Sequence, residues 1–190
     1  MMHYSICLSI DILQRALRSF RAGPVESEGE YQSMPRREAS SGRSQFEVAN
    51  RLFFRLYQCS NLLHKNGTRH VGDFGATTQQ WAVLGALSRP AVRKTGMTVK
   101  GLIEYLLLSR QNLTAVLDRL ETRQWIDRVK DIEDGRNRLI RMTVEGSRNW
   151  NAMQGPIEAF YASALMAFSE KEQALLCEML DRLKNGLNQV

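Results

Sequence analysis

The sequence predicts a mainly α (α+β) fold organised around a winged helix-turn-helix, and three observations predict it. Only Leu107-Leu108-Ser109 separate two short amphipathic helices, a join so brief that the helices must cross steeply. The second helix runs directly into two short strands rich in branched and basic residues, Ile126-Asp127-Arg128-Val129-Lys130 and Arg138-Leu139-Ile140-Arg141-Met142. Between them, Asp131-Ile132-Glu133-Asp134-Gly135-Arg136-Asn137 is turn chemistry. A helix followed at once by a basic hairpin is the outline of a DNA-reading module. The helix enters a major groove and the hairpin tip reaches the neighbouring minor groove.

The elements follow in order. Residues 1–20 can form an amphipathic helix, with Ile6, Ile10, Leu13, Leu17 and Phe20 opposed to Arg15 and Arg18. Residues 21–44 hold Gly23-Pro24, Pro35 and Ser40-Ser41-Gly42 but little apolar matter, too little to offset chain entropy, and read as a linker. Residues 1–44 are thus an extension, either an accessory segment or a stretch upstream of a start nearer Met34. A compact domain spans 45–190. Its first helix carries the stripe Phe46, Ala49, Phe53, Leu56, Ser60 and Leu63 beside Leu52 and Cys59, and Asn66-Gly67 suits its stop. Thr77-Thr78-Gln79-Gln80 is a capping box for a second helix with Trp81, Leu84 and Leu87, closed by Pro90. The third starts after Thr98 and buries Leu102, Ile103 and Leu106; the fourth starts at Ser109. The fifth starts after Thr143 and carries Trp150, Met153, Ile157, Phe160 and Tyr161, with a kink expected at Gly155-Pro156. The sixth opens on a second capping box, Ser169-Glu170-Lys171-Glu172, and carries Leu175, Leu176, Met179, Leu180, Leu183 and Leu187.

Composition bounds the function. A 190-residue chain with 43% hydrophobic and 24% charged residues is ordinary for a soluble domain. Its net charge of +6 favours a polyanionic partner. Three scattered cysteines, Cys7, Cys59 and Cys177, fit a reducing cytoplasm better than a disulfide framework. No apolar run approaches the ~20 residues of a membrane helix. The N-terminus lacks an early Lys or Arg and is interrupted by Asp11, which makes it a poor signal peptide. There is no Gly-rich phosphate loop, nucleophile elbow or paired-His metal motif, so no enzyme, cofactor or metal is expected.

On the fourth helix, Leu113, Val116, Leu117 and Leu120 recur at helical spacing and face the core. Gln111, Thr114, Ala115, Asp118 and Arg119 then lie on or beside the opposite face. Gln111 can pair bidentately with adenine, and Thr114 and Ala115 can meet a thymine methyl. Ser109, Arg110 and Asn112 sit where free backbone N–H groups favour a phosphate. Arg136 at the hairpin tip suits a narrow minor groove, with Arg138 just after it and Asp134 placed to hold the Arg136 guanidinium. An ordinary solvated helix and a surface ion pair would show the same residues.

From Thr77 to Gly146 the chain resembles the MarR family of bacterial transcriptional regulators. The matching residues are Thr78-Gln79-Gln80-Trp81-Ala82-Val83-Leu84, Leu107-Leu108-Ser109-Arg110, Leu117-Asp118-Arg119-Leu120-Glu121 and Asp134-Gly135-Arg136 followed by Met142-Thr143-Val144-Glu145-Gly146. Gly135 stands where the family carries a basic residue, which removes one expected phosphate contact. The resemblance implies a homodimer, with 45–76 and 144–190 as dimerisation helices and 77–143 as the winged helix-turn-helix. Two copies would read a pseudo-palindromic double-stranded operator with half-sites about 34–36 Å apart. The apolar Phe46, Phe53, Leu56, Leu183 and Leu187 are compatible with such pairing. The resemblance also implies a repressor released by a small effector, often an aromatic acid. Arg51, Arg55, Tyr57, His64 and Trp81 are candidates by location, an arginine for the carboxylate and aromatics for the ring.

Two alternatives stand beside this. Thiol-based redox control through Cys59 is one, although a position beside an apolar stripe favours an inert buried thiol. A helical protein-interaction module without DNA binding is the other. Zinc at His64 and His70 is disfavoured, because their spacing spans different helical faces and no cysteine is near.

Overall fold

The computed structural model describes residues 36–130 and 138–190, with side chains from Gly42 onward. The helix expected over 1–20 and the wing tip, with Asp134, Gly135 and Arg136, lie outside the described residues. In chain order the elements are α1 (Arg36–His70), a 3-10 turn (Gly72–Phe74), α2 (Thr78–Ser88), β1 (Met97–Thr98), α3 (Val99–Leu106), α4 (Arg110–Thr122), β2 (Ile126–Lys130), β3 (Arg138–Met142), α5 (Val144–Leu165) and α6 (Glu170–Leu187). The chain divides into Met1–Ala49 and Asn50–Val190.

The helix starts from α2 to α6 are written in their capping residues, including Thr98, which accepts from the Gly101 amide at 3.0 Å at the start of α3. Thr77 accepts from the Gln80 amide while Gln80 Oε1 accepts from the Thr77 amide at 2.9 Å, a closed capping box for α2. Ser109, Thr143 and Ser169 accept from the amides of Asn112, Gly146 and Glu172 at 3.2, 2.9 and 3.4 Å. The hairpin strands have the expected bounds and pair antiparallel from Ile126↔Met142 to Lys130↔Arg138. β1 was not expected: two residues are too few to show a period, yet Met97 and Thr98 pair with Ile140 and Leu139 and make β3 the central strand.

One buried cluster unites these elements. It takes Trp81, Leu84 and Leu87 from α2, Leu102 from α3, Ile126 and Ile140 from the hairpin, and Met153, Ile157 and Phe160 from α5. Leu113, Val116, Leu117 and Leu120 of α4 enter it as one stripe, as the spacing predicts. α5 continues through Pro156 as a helix.

Two expectations are corrected. The linker expected over 21–44 overlaps α1, because Arg36-Arg37-Glu38-Ala39 are helix formers with no proline following until Pro90. α1 also does not stop at Asn66-Gly67 but continues to His70. Tertiary packing overrides the local stop signal there. A Cβ at Gly67 would stand 2.9 Å from Trp81 Cζ3, so the glycine serves as a notch for the indole and not as a cap. The Thr78 hydroxyl donates to His64 O at 3.0 Å and the Thr78 amide to Thr68 Oγ1 at 3.2 Å, which fastens the last turn of α1 to α2.

Candidate nucleic-acid interface

The turn before α4 is set by Leu107, whose φ of 54° is left-handed and swings the chain between α3 and α4. The α4 core stripe then fixes which residues point away. Ser109, Arg110, Gln111, Asn112, Thr114, Ala115 and Arg119 are all exposed. The Thr114 hydroxyl donates to Arg110 O at 2.8 Å, so its proton is committed to the backbone and its methyl and lone pairs remain. The caps leave the early amides of α4 only partly satisfied, which favours an anion at this end.

Asp118, placed by sequence among these residues, has a different partner. It pairs with Arg128 of β2, whose Nε also lies 3.0 Å from Glu121 Oε2. The second contact is an ion pair and not an aligned hydrogen bond; among the described residues Arg128 Nε has no hydrogen-bond partner. Two carboxylates on α4 thus grip one guanidinium on the hairpin and fix the hairpin against the helix. Arg128 was not singled out from sequence. Its charge on a strand face is unremarkable until the fold brings α4 beside it. At the described end of the hairpin, exposed Lys130 and Arg138 stand directly opposite each other. Like charges in register destabilise a hairpin unless a polyanion lies against them.

A second feature lies at the end of α1. An open cleft of about 580 Å³ is lined by Asn66, Arg69, His70, Phe160, Ser163 and Ala164. The His70 ring packs on Phe160 with centroids 4.9 Å apart, and Trp81 packs edge-on to Phe160 and tilted on Tyr161. Partial burial pushes the Tyr161 phenol above its ordinary value, against a smaller opposing hydrogen bond from Trp81. Of the residues proposed from sequence for a ligand, Arg51, Arg55, Tyr57 and His64 are exposed along α1 and do not line this cleft; Trp81 is buried beside it. Cys59, expected to be buried, is exposed, as is Cys177. Among the described residues, nothing covers the α1 stripe next to Cys59. Among the described residues no group of His, Cys, Asp and Glu could hold a metal, and no helix is long and apolar enough to cross a membrane.

A helix-turn-helix whose second helix bares one polar face, with a basic antiparallel hairpin held against it, defines a winged-helix DNA-binding regulator. Comparison with known proteins narrows the class. The MarR family model matches residues 74–137. The transcriptional activatory protein BadR of Rhodopseudomonas palustris is 49% identical over 146 residues, covering 74% of this chain and 83% of BadR. The chain belongs to the MarR family of transcriptional regulators. AbfR of Staphylococcus epidermidis superposes with a TM-score of 0.67 at 25% identity, covering 78% of this chain and 99% of AbfR. Reduced AbfR bound to DNA gives a TM-score of 0.62 at 25% identity over 77% of this chain and 98% of its own. PcaV of Streptomyces coelicolor, in complex with its natural ligand, gives 0.57 at 28% identity over 70% of this chain and 89% of PcaV.

Proposed function

We propose that this protein is a homodimeric, ligand-responsive repressor. Two winged helices bind a pseudo-palindromic operator, and a small aromatic acid relieves that binding. One observation carries the DNA-reading part: every α4 residue assigned to bases or phosphates is exposed on a helix whose other face is buried. The opposed Lys130 and Arg138 support a polyanion at the wing, where Arg136 is assigned to the minor groove and Asp134 to holding its guanidinium. The bare apolar residues of α1 and α6 support pairing of two copies through residues 45–76 and 144–190. The cleft supports an effector. Arg69 and His70 offer cationic and hydrogen-bonding groups for a carboxylate, and Phe160 offers a ring face. Such a ligand acts only through a preference for the shape that does not bind DNA.

The direction of control has a second reading. BadR, by its name, activates transcription, which favours activation here as well. A reporter driven by the operator, with and without the regulator gene, separates the two. Thiol control is a further reading favoured by the exposure of Cys59. Oxidant-dependent loss of DNA binding that Cys59→Ser abolishes would support it. The central reading is tested by operator affinity against salt. A steep fall in affinity with rising salt is expected. Arg136→Ala is expected to weaken binding while leaving the fold and the dimer intact. Absence of a salt-dependent shift on any DNA would overturn the regulator reading.

A further inference from the structure

The last turn of α1 is engaged on two sides. On one, Asn66, Arg69 and His70 line the cleft. On the other, Gly67 and Thr68 are fastened to Trp81 and Thr78 of α2. The chain leaves α1 through fully buried Val71, whose carbonyl accepts from the amides of Phe74 and Ala76 at 3.2 and 3.3 Å. This turn is therefore held to α2 on one side and borders the cleft on the other, and a displacement of it passes directly into the 3-10 turn that follows.

Arg123 meets that turn. It is the first residue beyond α4, and its backbone amide closes the helix onto Arg119 O at 3.3 Å. Its guanidinium donates to Phe74 O at 2.6 Å and also to Gly75 O. The same group lies 4.1 Å from the centroid of the Trp125 ring. These partners are 48 and 49 residues away in sequence, so the contact is tertiary and not a local cap. Among the described residues Arg123 has no carboxylate partner, and its planar fork is spent on two adjacent carbonyls instead. Gly75 leaves room for it: a Cβ there would stand 2.8 Å from Arg123 Nη2.

We propose that Arg123 is the positioning residue that couples the cleft to the recognition helix. A ligand that shifts the last turn of α1 shifts Phe74 and Gly75, and Arg123 carries this shift to the C-terminal end of α4. The inference rests on the effector reading above and adds the residue through which that effector acts. It also explains why an arginine is spent on backbone carbonyls rather than on DNA or an acid.

The test compares the parent with Arg123→Lys, which keeps the charge and the stem over Trp125 but loses the fork. Operator fragments are titrated by fluorescence anisotropy with and without benzoate, 4-hydroxybenzoate and salicylate. Calorimetry gives the affinity of the same compounds for the DNA-free protein. In the parent, the tightest of the three weakens operator binding within the range of about 5- to 150-fold typical of coupled sites. In Arg123→Lys that compound binds the DNA-free protein as before, while the ratio falls to about 1. If Arg123 only staples the fold, the variant lowers the melting temperature and keeps the parental ratio, which overturns the proposal and leaves the effector reading standing. A parent whose operator affinity none of the three compounds changes overturns the effector reading, and the proposal with it.

Discussion

The winged-helix body and the outer helices use similar residues to opposite ends. In α4, Leu113, Val116, Leu117 and Leu120 are buried by α2, α3 and the sheet. In α6, Leu175, Leu176, Met179, Leu180 and Leu187 recur at the same helical spacing, yet no residue of α6 is buried. Leu52, Phe53, Phe54, Leu62 and Leu63 of α1 are exposed in the same way. The body satisfies its own hydrophobic pattern. Among the described residues nothing covers the pattern on the outer helices, and exposed apolar patches of this kind are features of interaction sites. Local amphipathicity therefore identifies a face that needs covering without saying what covers it.

A matched pair of truncations separates the two regions. Leu117 is 1% exposed and Leu180 is 44% exposed. Leu117→Ala leaves a cavity in the body and is expected to cost about 2–5 kcal/mol, read as a lower urea midpoint at any protein concentration. Leu180→Ala is expected to leave the body unchanged and to weaken self-association by about 1.5–3 kcal/mol. Sedimentation across a dilution series reads the second effect directly, and the melting temperature should become more dependent on concentration. Equal losses at every concentration for both variants would erase the distinction between the regions.

Gln111→Ala sharpens the comparison at the surface of the body. Nothing in the core depends on this exposed side chain, so the melting temperature should not move. Loss of a bidentate base contact costs about 1–3 kcal/mol of discrimination at one position of each half-site. Selection from random DNA should return an operator relaxed at that position. A consensus identical to the parental one would remove Gln111 from the reading face.

What could be read in advance follows the range of each interaction. The faces of α4, the capping boxes at Thr77 and Ser169 and the bounds of the hairpin depend on residues within a few positions of one another, and sequence spacing reports them. The Arg123 bridge to Phe74 and Gly75 and the Arg128 grip on Asp118 and Glu121 need the finished fold. The cleft shows how one local error propagates. Ending the first helix at Asn66-Gly67 leaves Arg69 and His70 off it, while the sequence candidates Arg51, Arg55, Tyr57 and His64 lie further back and do not line the cleft. The signal at Gly67 was real but ambiguous, since a glycine that stops a helix and one that admits an indole look alike in sequence.

A smaller effect lies at the join of α4 and the hairpin. Gln124 has a φ of 58°, where a side chain costs about 1–2 kcal/mol relative to glycine. Glycine would also gain about 0.4–1 kcal/mol of unfolded-state entropy, which opposes folding. Gln124→Gly should therefore stabilise the body by a net amount of about 1 kcal/mol or less. Thermal denaturation of this variant should show a slightly higher midpoint, while self-association through the outer helices stays the same. A lower midpoint would mean that the glutamine side chain contributes more than its backbone strain costs.

The two capping boxes offer the finest contrast between the regions, because one can titrate and the other cannot. At the start of α2, Gln80 Oε1 accepts from the Thr77 amide and carries no charge. At the start of α6, Glu172 Oε2 accepts from the Ser169 hydroxyl at 2.7 Å and from its amide at 2.8 Å. The hydroxyl first and then the amide hold the Glu172 carboxyl below its ordinary 4.5. Its pKa is depressed in the folded protein, so the stability it contributes is present above pH 4.5 and is lost as the pH falls through the folded value. Glu172→Gln should therefore lower the melting temperature at neutral pH, and the gap to the parent should close in acid. Gln80 is buried, so Gln80→Glu places a carboxyl where burial raises its pKa, and this variant should lose stability as the pH rises toward neutrality, the opposite sign to Glu172. Carboxyl titrations by NMR would show the Glu172 midpoint below those of exposed glutamates. A normal midpoint would mean that the charge plays no part in fixing the start of α6.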